Sequence, residues 1–342
     1  MVDIMKKKLK FIGDLSMFSR YRTELMGYAI WGVLIIHFSI FTNHPISIID
    51  FISRLVYTQG FLFLSGFGLY YSYSKNQNII SFYRKRINRL YVPWILISFV
   101  FLVASVLRHK EGVCDFISYI TTIAFWYKGN YYGVWYVAVS LLLYFLYPFI
   151  HRFLFIKNKK PNILLRVGGV IIGMCLPIAI MYFMFPYEWE LIGGWIIQIL
   201  MFPLGMIAGY YANITYKLTL WQIIAYFIVM LLLFIATKLI SVSFICDIIR
   251  TLIGMPLICI CFYVINDKKH FVWILTFFNW LGKYSLEIYL LHLLIYLSWF
   301  DVCPLTGAWQ YITTVVISLI LCKPIHNIIY KLQRSKFYLL KS

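Results

Sequence analysis

Leu25-Met26-Gly27-Tyr28-Ala29-Ile30-Trp31-Gly32-Val33-Leu34-Ile35-Ile36-His37-Phe38-Ser39-Ile40-Phe41 is the stretch that decides the fold. Seventeen helical residues rise about 26 Å, close to the roughly 30 Å of a bilayer's hydrocarbon core. Within this stretch His37 is the one side chain that titrates near neutral pH. Ionisable groups in hydrocarbon are costly, so they mark functional sites by default. Histidine is also the commonest general base. The plainer reading, a histidine bonded to a backbone carbonyl of a neighbouring helix, stands beside the functional one.

The rest of the chain repeats the pattern. Its 342 residues are 62% hydrophobic and 13% charged, with mean hydropathy +0.82. That excludes an ordinary soluble domain and a disordered chain. The expectation is an all-α, polytopic integral membrane protein with about ten transmembrane helices. Spans are expected near 25–43, 55–74, 90–107, 133–154, 163–184, 191–211, 219–239, 244–265, 280–300 and 308–329. The net charge of +19 reads as cytoplasmic loops obeying the positive-inside rule, not as a nucleic-acid surface. No cleaved signal is evident in the basic N-terminus. The seven cysteines are scattered, without zinc spacing, so no metal is expected.

Charge sets the orientation. The apolar piece Phe116 to Tyr127 is 12 residues, which suits a re-entrant or interfacial segment. If it does not cross, ten spans keep Lys6–Lys10, Lys75–Arg89, Arg152–Arg166, Lys268–Lys269 and Lys331–Lys341 in the cytoplasm. If it crossed, the Arg152–Arg166 cluster, with the Lys157–Lys160 loop, would face outward against the positive-inside rule. The expected organisation is a cytoplasmic N-terminal arm (1–20), a membrane domain (21–330) and a cytoplasmic basic tail (331–342). His37 then lies about 18 Å along the helix from Leu25, past mid-membrane towards the outer face.

Several constellations could carry chemistry. The loop Lys75 to Arg89 has five basic residues and no acidic one. If the third helix begins early, Arg86 and Arg89 are i,i+3 neighbours whose guanidiniums could fork onto phosphate oxygens. Plain topology anchoring needs only their charge. Phe61-Leu62-Phe63-Leu64-Ser65-Gly66-Phe67-Gly68 places small residues in a membrane helix, which favours close packing, and Ser65 lacks a nucleophile elbow. Trp135-Tyr136 suits the outer interface and could also stack on a sugar. Arg22 and Glu24 precede the first span as anchors, or Arg22 lines the cytoplasmic mouth of a cavity that His37 reaches from further out. Glu287 and His292 are both ionisable within the ninth span. Five residues turn a helix by about 500°, so each should face a different neighbour or a wet cavity. Glu287 and Lys283, at i,i+4, could pair, and Asp247 with Arg250, at i,i+3, should.

In this order the pieces resemble the acyltransferase 3 family of membrane acyltransferases. Arg22-Thr23-Glu24-Leu25-Met26-Gly27 running to His37 resembles its opening helix, and Phe61–Gly68 its Phe-Phe-x-Leu-Ser-Gly-Phe element. Arg86-x-x-Arg89 with Pro93 matches its Arg-x-x-Arg motif. Trp135-Tyr136 with Tyr144 and Pro148, Phe202-Pro203-Leu204-Gly205, and Ser285-Leu286-Glu287-Ile288-Tyr289-Leu290-Leu291-His292 complete the set. The likeness covers roughly 20–330. Many members carry an arginine eleven positions before the histidine; Met26 stands there in this chain, and Arg22 is one helical turn earlier.

The resemblance implies transfer of an acyl group, usually acetyl, from cytoplasmic acyl-CoA to a sugar hydroxyl of an envelope or exopolysaccharide precursor. It implies a multi-pass protein of the bacterial cytoplasmic membrane. His37 would be catalytic. Arg86 and Arg89 would hold the CoA phosphates, with Arg22, Glu24, Ser65, Tyr136, Glu287 and His292 as further binding groups. Acetyl-CoA is a co-substrate, and the partners are a glycan or lipid-linked sugar and membrane lipid. An oligomer is compatible with all of this. The competing readings are a transporter or flippase of a lipid-linked glycan, and a non-catalytic scaffold. A flippase has no need of a proton-transfer histidine coupled to a CoA site, and no repeated halves are evident.

Overall fold

The computed structural model describes residues 14–43, 47–107, 112–129, 135–155, 163–239, 243–299 and 307–339. The Lys6–Lys10 arm, the Lys157–Lys160 loop and Lys341 lie outside the described residues. Among the described residues there is no strand, only an isolated bridge between Asp14 and Lys217. The protein is an all-α polytopic membrane protein. Seven helices are long and apolar enough to cross a bilayer, and two shorter apolar helices cover Gly168–Met184 and Ser285–Leu297. Each of the ten stretches expected to span contains a helix.

Helix α1 spans Arg22–Thr42 and stops at Asn43, which adopts the left-handed conformation (φ 54°) that favours asparagine at a helix end. A short α2 (Ser47–Ser53) leads to α3 (Thr58–Lys75). Next comes α4 (Ile79–Arg86), capped by Asn78, whose side chain accepts from the Ser81 amide at 2.8 Å. A π-turn over Ile87–Tyr91 joins it to α5 (Val92–Leu107). Pro93 explains that turn. It has no amide proton to give the Arg89 carbonyl four residues back, and its ring collides with that carbonyl, so the helix widens. The third helix therefore begins about eleven residues before the expected position at 90. The piece expected not to cross is two short helices, α6 (Val113–Ile120) and α7 (Ala124–Lys128), split at Thr122 with φ 65°. Neither has the length of a span.

The longer helices that follow are α8 (Trp135–Leu154), α9 (Ile163–Met184), α10 (Met201–Asn213), α11 (Leu220–Leu239), α12 (Ser243–Asn266), α13 (Val272–Lys283), α14 (Ser285–Trp299) and α15 (Ala308–Leu339), with short helical turns over 186–200 before α10. The expected span at 280–300 is thus two helices broken at Tyr284. Helix α13 escaped the sequence reading because twelve residues are too few for a span. Helix α11 buries none of its most apolar window, as expected of a face solvated by lipid tails. Asp247 and Arg250 pair on α12 at 2.7 Å.

Glycines set how closely the helices approach. A Cβ on Gly66 would lie 2.1 Å from the Phe202 carbonyl oxygen, and one on Gly205 would lie 2.0 Å from that of Phe63. Helices α3 and α10 therefore cross backbone to backbone, the packing that small residues allow in membranes. Gly205→Ala is expected to destabilise the protein by about 1–3 kcal/mol, the usual cost of overpacking. Thermal unfolding in detergent would measure this, and a wild-type midpoint would mean that the crossing yields freely.

Candidate active site

Three elements bring the basic residues together. Arg22 stands at the first position of α1, Arg86 at the last of α4, and Arg89 within the π-turn. All three line one cavity of about 300 Å³. Ser65 and Gly68 of α3, Tyr136 and Tyr144 of α8, and Lys283, Glu287, Tyr289 and His326 complete much of its wall. A second cavity, of about 370 Å³, shares Arg86, Arg89, Glu287 and His326 with the first. Lys85, Asn88, Tyr330 and Gln333 also line this second cavity. Gln333 donates to the Asn88 carbonyl at 2.6 Å, within the stretch that Pro93 widens.

The guanidiniums are short of counter-charge. Arg22 donates through Nε to the Leu64 carbonyl at 3.2 Å, and its guanidinium lies over Gly68, where a Cβ would come within 2.8 Å of Nη2. Arg86 lies 5.8 Å from the centroid of the Phe82 ring, and its Nε is buried without a partner. Burial pushes the Arg86 guanidinium below its ordinary pKa, and the positive charge of Arg89 adds to the effect. Among the described residues no carboxylate bonds to Arg22, Arg86 or Arg89. The one carboxylate in the wall, Glu287, accepts from His326 Nδ1 at 2.7 Å instead of pairing with Lys283. Arg22 and Arg86 are half-buried and Arg89 is exposed. Withdrawing cations from water without a counter-charge is costly, so three guanidiniums lining one cavity favour an anion there.

The histidine lies beyond this cavity. His37 is half-buried on α1, and its Nδ1 is 2.9 Å from Nε2 of His292 on α14, which is wholly buried. Phe41 flanks His37, with ring centroids 5.5 Å apart. His37 does not line the cavity, contrary to the expectation that it reaches into it. Tyr289, one turn before His292 on α14, lies between: it lines the cavity and its ring contacts His292 at 5.9 Å. Tyr136 lines the cavity beside it, with its ring 5.4 Å from that of Tyr289. Fifteen residues separate Arg22 from His37, about 22 Å along the helix axis.

Other candidates sit differently from their sequence reading. Glu24 is not in the cavity wall; it accepts from Asn279 Nδ2 at 2.8 Å and ties α1 to α13. Trp135 is not exposed to lipid: it is 2% exposed and stacks on Trp195 at 4.9 Å. Ser65 both packs and faces the cavity, its Oγ 3.1 Å from Tyr144 Oη. His326 escaped the sequence reading. The signal was present, since it is an ionisable side chain inside the span expected at 308–329.

A family model described as an acyltransferase domain matches residues 27–326 of the chain. Neither a curated protein nor a solved structure matches it.

Proposed function

The chain belongs to the acyltransferase 3 family and is a membrane acyltransferase, and from that premise we propose that it carries an acyl group, most simply acetyl, from cytoplasmic acyl-CoA to a sugar hydroxyl of a cell-envelope or exopolysaccharide precursor. The observation that carries the donor assignment is the cavity with three guanidiniums that no carboxylate bonds among the described residues. Arg86 and Arg89 hold the donor's phosphates, and forked guanidinium bonds suit that chemistry. The donor must also be long. About 22 Å of helix separate Arg22 from His37, so a ligand anchored by its phosphates needs an extended arm to present its acyl group near the histidine. The pantetheine arm of CoA has that form.

At the far end His37 acts as general base. It takes the proton of the acceptor hydroxyl as oxygen bonds to the thioester carbonyl carbon. The carbon–sulfur bond breaks, and the proton passes on to the CoA sulfur. Tyr136 and Tyr289 line the cavity, and the ring of Tyr289 contacts His292, the partner of His37.

The test uses the full chain in sealed vesicles, with acetyl-CoA supplied on the cytoplasmic face and a lipid-linked oligosaccharide in the membrane. The expected result is a mass gain of about 42 Da per modified sugar, acetyl replacing the hydrogen of the hydroxyl that the base activates. Acceptor that crosses the membrane with its mass unchanged would instead make the chain a carrier.

A further inference from the structure

The contact between His37 and His292 can be read one nitrogen further. Nδ1 of His292 lies 2.9 Å from the backbone carbonyl oxygen of Ile288, one turn earlier on the same helix. A carbonyl oxygen only accepts, so Nδ1 of His292 carries a proton. In the neutral ring Nε2 then carries none and is an acceptor. That Nε2 faces Nδ1 of His37 at 2.9 Å. The contact is end-on and in plane: the rings are 24° from coplanar, with centroids 5.2 Å apart. His37 must therefore donate through Nδ1, which leaves the lone pair on its own Nε2.

From this chain of donors we infer that His292 is a positioning residue that fixes the tautomer of His37, so that Nε2 of His37 is the basic nitrogen. The assignment rests on the reading of His37 as general base. His292 does the work that a buried carboxylate does beside the histidine of a serine hydrolase, and it does so without a negative charge in hydrocarbon, where a charge is costly. The site suits a neutral device. His292 is wholly buried, and its ring neighbours are His37 and Tyr289. Among the described residues no third histidine, cysteine or carboxylate completes a metal-binding group with the pair. The device is also local. Residues 288 and 292 share one helical turn, so the acceptor for Nδ1 is supplied by the helix that carries His292.

In the transfer step the hydroxyl proton of the acceptor goes to His37 Nε2, while Nδ1 keeps its proton shared with His292. When the thiolate of CoA leaves, it collects the proton from Nε2, and the pair returns to its starting tautomers. No proton is gained or lost over the cycle.

Two measurements test this on the full chain in lipid nanodiscs. In protein labelled with ¹⁵N-histidine, at a pH where the pair is neutral, His37 should show a protonated Nδ1 and an unprotonated Nε2. A proton on Nε2 of His37 would overturn the inference, whatever the activity. His292→Leu should lower kcat by about 10- to 100-fold, by analogy with the loss on removing the partner that orients a metal-bound histidine. The KM for acetyl-CoA should hold, because the phosphate-binding cavity is untouched. His292→Gln, which keeps an acceptor oxygen near the lost Nε2, should recover most of the rate. A loss in the leucine variant that glutamine does not recover, with the His37 tautomer unchanged, would make His292 a packing residue and overturn the proposal. Failure of the underlying reading looks different: full transfer by His37→Ala would remove the base, while the ¹⁵N result would still report whether His292 sets the tautomer.

Discussion

His37→Ala is expected to lower the rate of acyl transfer by about 10²–10⁴, the range lost with a general base, while the protein stays inserted and binds donor normally. A tenfold change in rate corresponds to about 1.36 kcal/mol of barrier, so the loss is about 3–5.5 kcal/mol. Stability should suffer much less. Truncation removes one hydrogen bond and leaves the buried His292 Nε2 without a partner, a cost of about 1–3 kcal/mol. The cavity proposed for the donor does not include His37, so acyl-CoA affinity should be unchanged. Transfer in vesicles together with donor binding to the same preparation would separate the two effects. Wild-type transfer by the variant would leave His37 as a packing residue, bonded to the His292 ring and not to the backbone carbonyl that the plainer sequence reading expects.

Most of the fold could be read from the sequence because hydrocarbon imposes simple rules. Apolar length finds the spans, since every backbone group in lipid must bond within its own helix. Asn43 marks the end of α1, and the i,i+3 spacing of Asp247 and Arg250 predicts their ion pair. What escaped depends on tertiary neighbours. The twelve residues of α13 resemble a loop until Gly27 and Gly282 are seen to meet, where a Cβ on either would lie 1.8 Å from a backbone oxygen of the other helix. The pairing of His37 with His292 joins residues 255 positions apart, and no local period reports it. Helical spacing did say that Glu287 and His292 face different neighbours. It could not say that those neighbours are His326 and His37. The π-turn at Ile87–Tyr91 was encoded in Pro93, but its consequence, two arginines directed at one cavity, required α1 and α8 to be in place.

The paired substitution Arg86→Ala and Arg89→Ala should raise the KM for acyl-CoA by about 10²–10⁴. A hydrogen bond to a charged group contributes roughly 1.5–3 kcal/mol, and the two guanidiniums together about twice that. Each 1.4 kcal/mol is a factor of ten in affinity, so either single variant should show about a tenfold rise or more. The structure gives the pair reason to hold an anion and not merely to anchor a loop. Arg86 is largely withdrawn from water, with Nε buried and unpartnered, and an anchoring charge would sit among lipid headgroups instead. The KM for the acceptor should change little, because in the proposed reaction the acceptor meets the chain near His37, about 22 Å along α1 from Arg22. Lysine at both positions should restore part of the donor affinity, since it keeps the charge and loses the fork. Raising the salt concentration should weaken donor use in the wild type more than in the double variant, because the electrostatic part of binding is already gone there. If both variants lose only expression, with the donor KM unchanged in the protein that remains, the arginines are topology anchors. In that case the cations left to hold an anion in this cavity are Arg22 at the start of α1 and Lys283 at the end of α13.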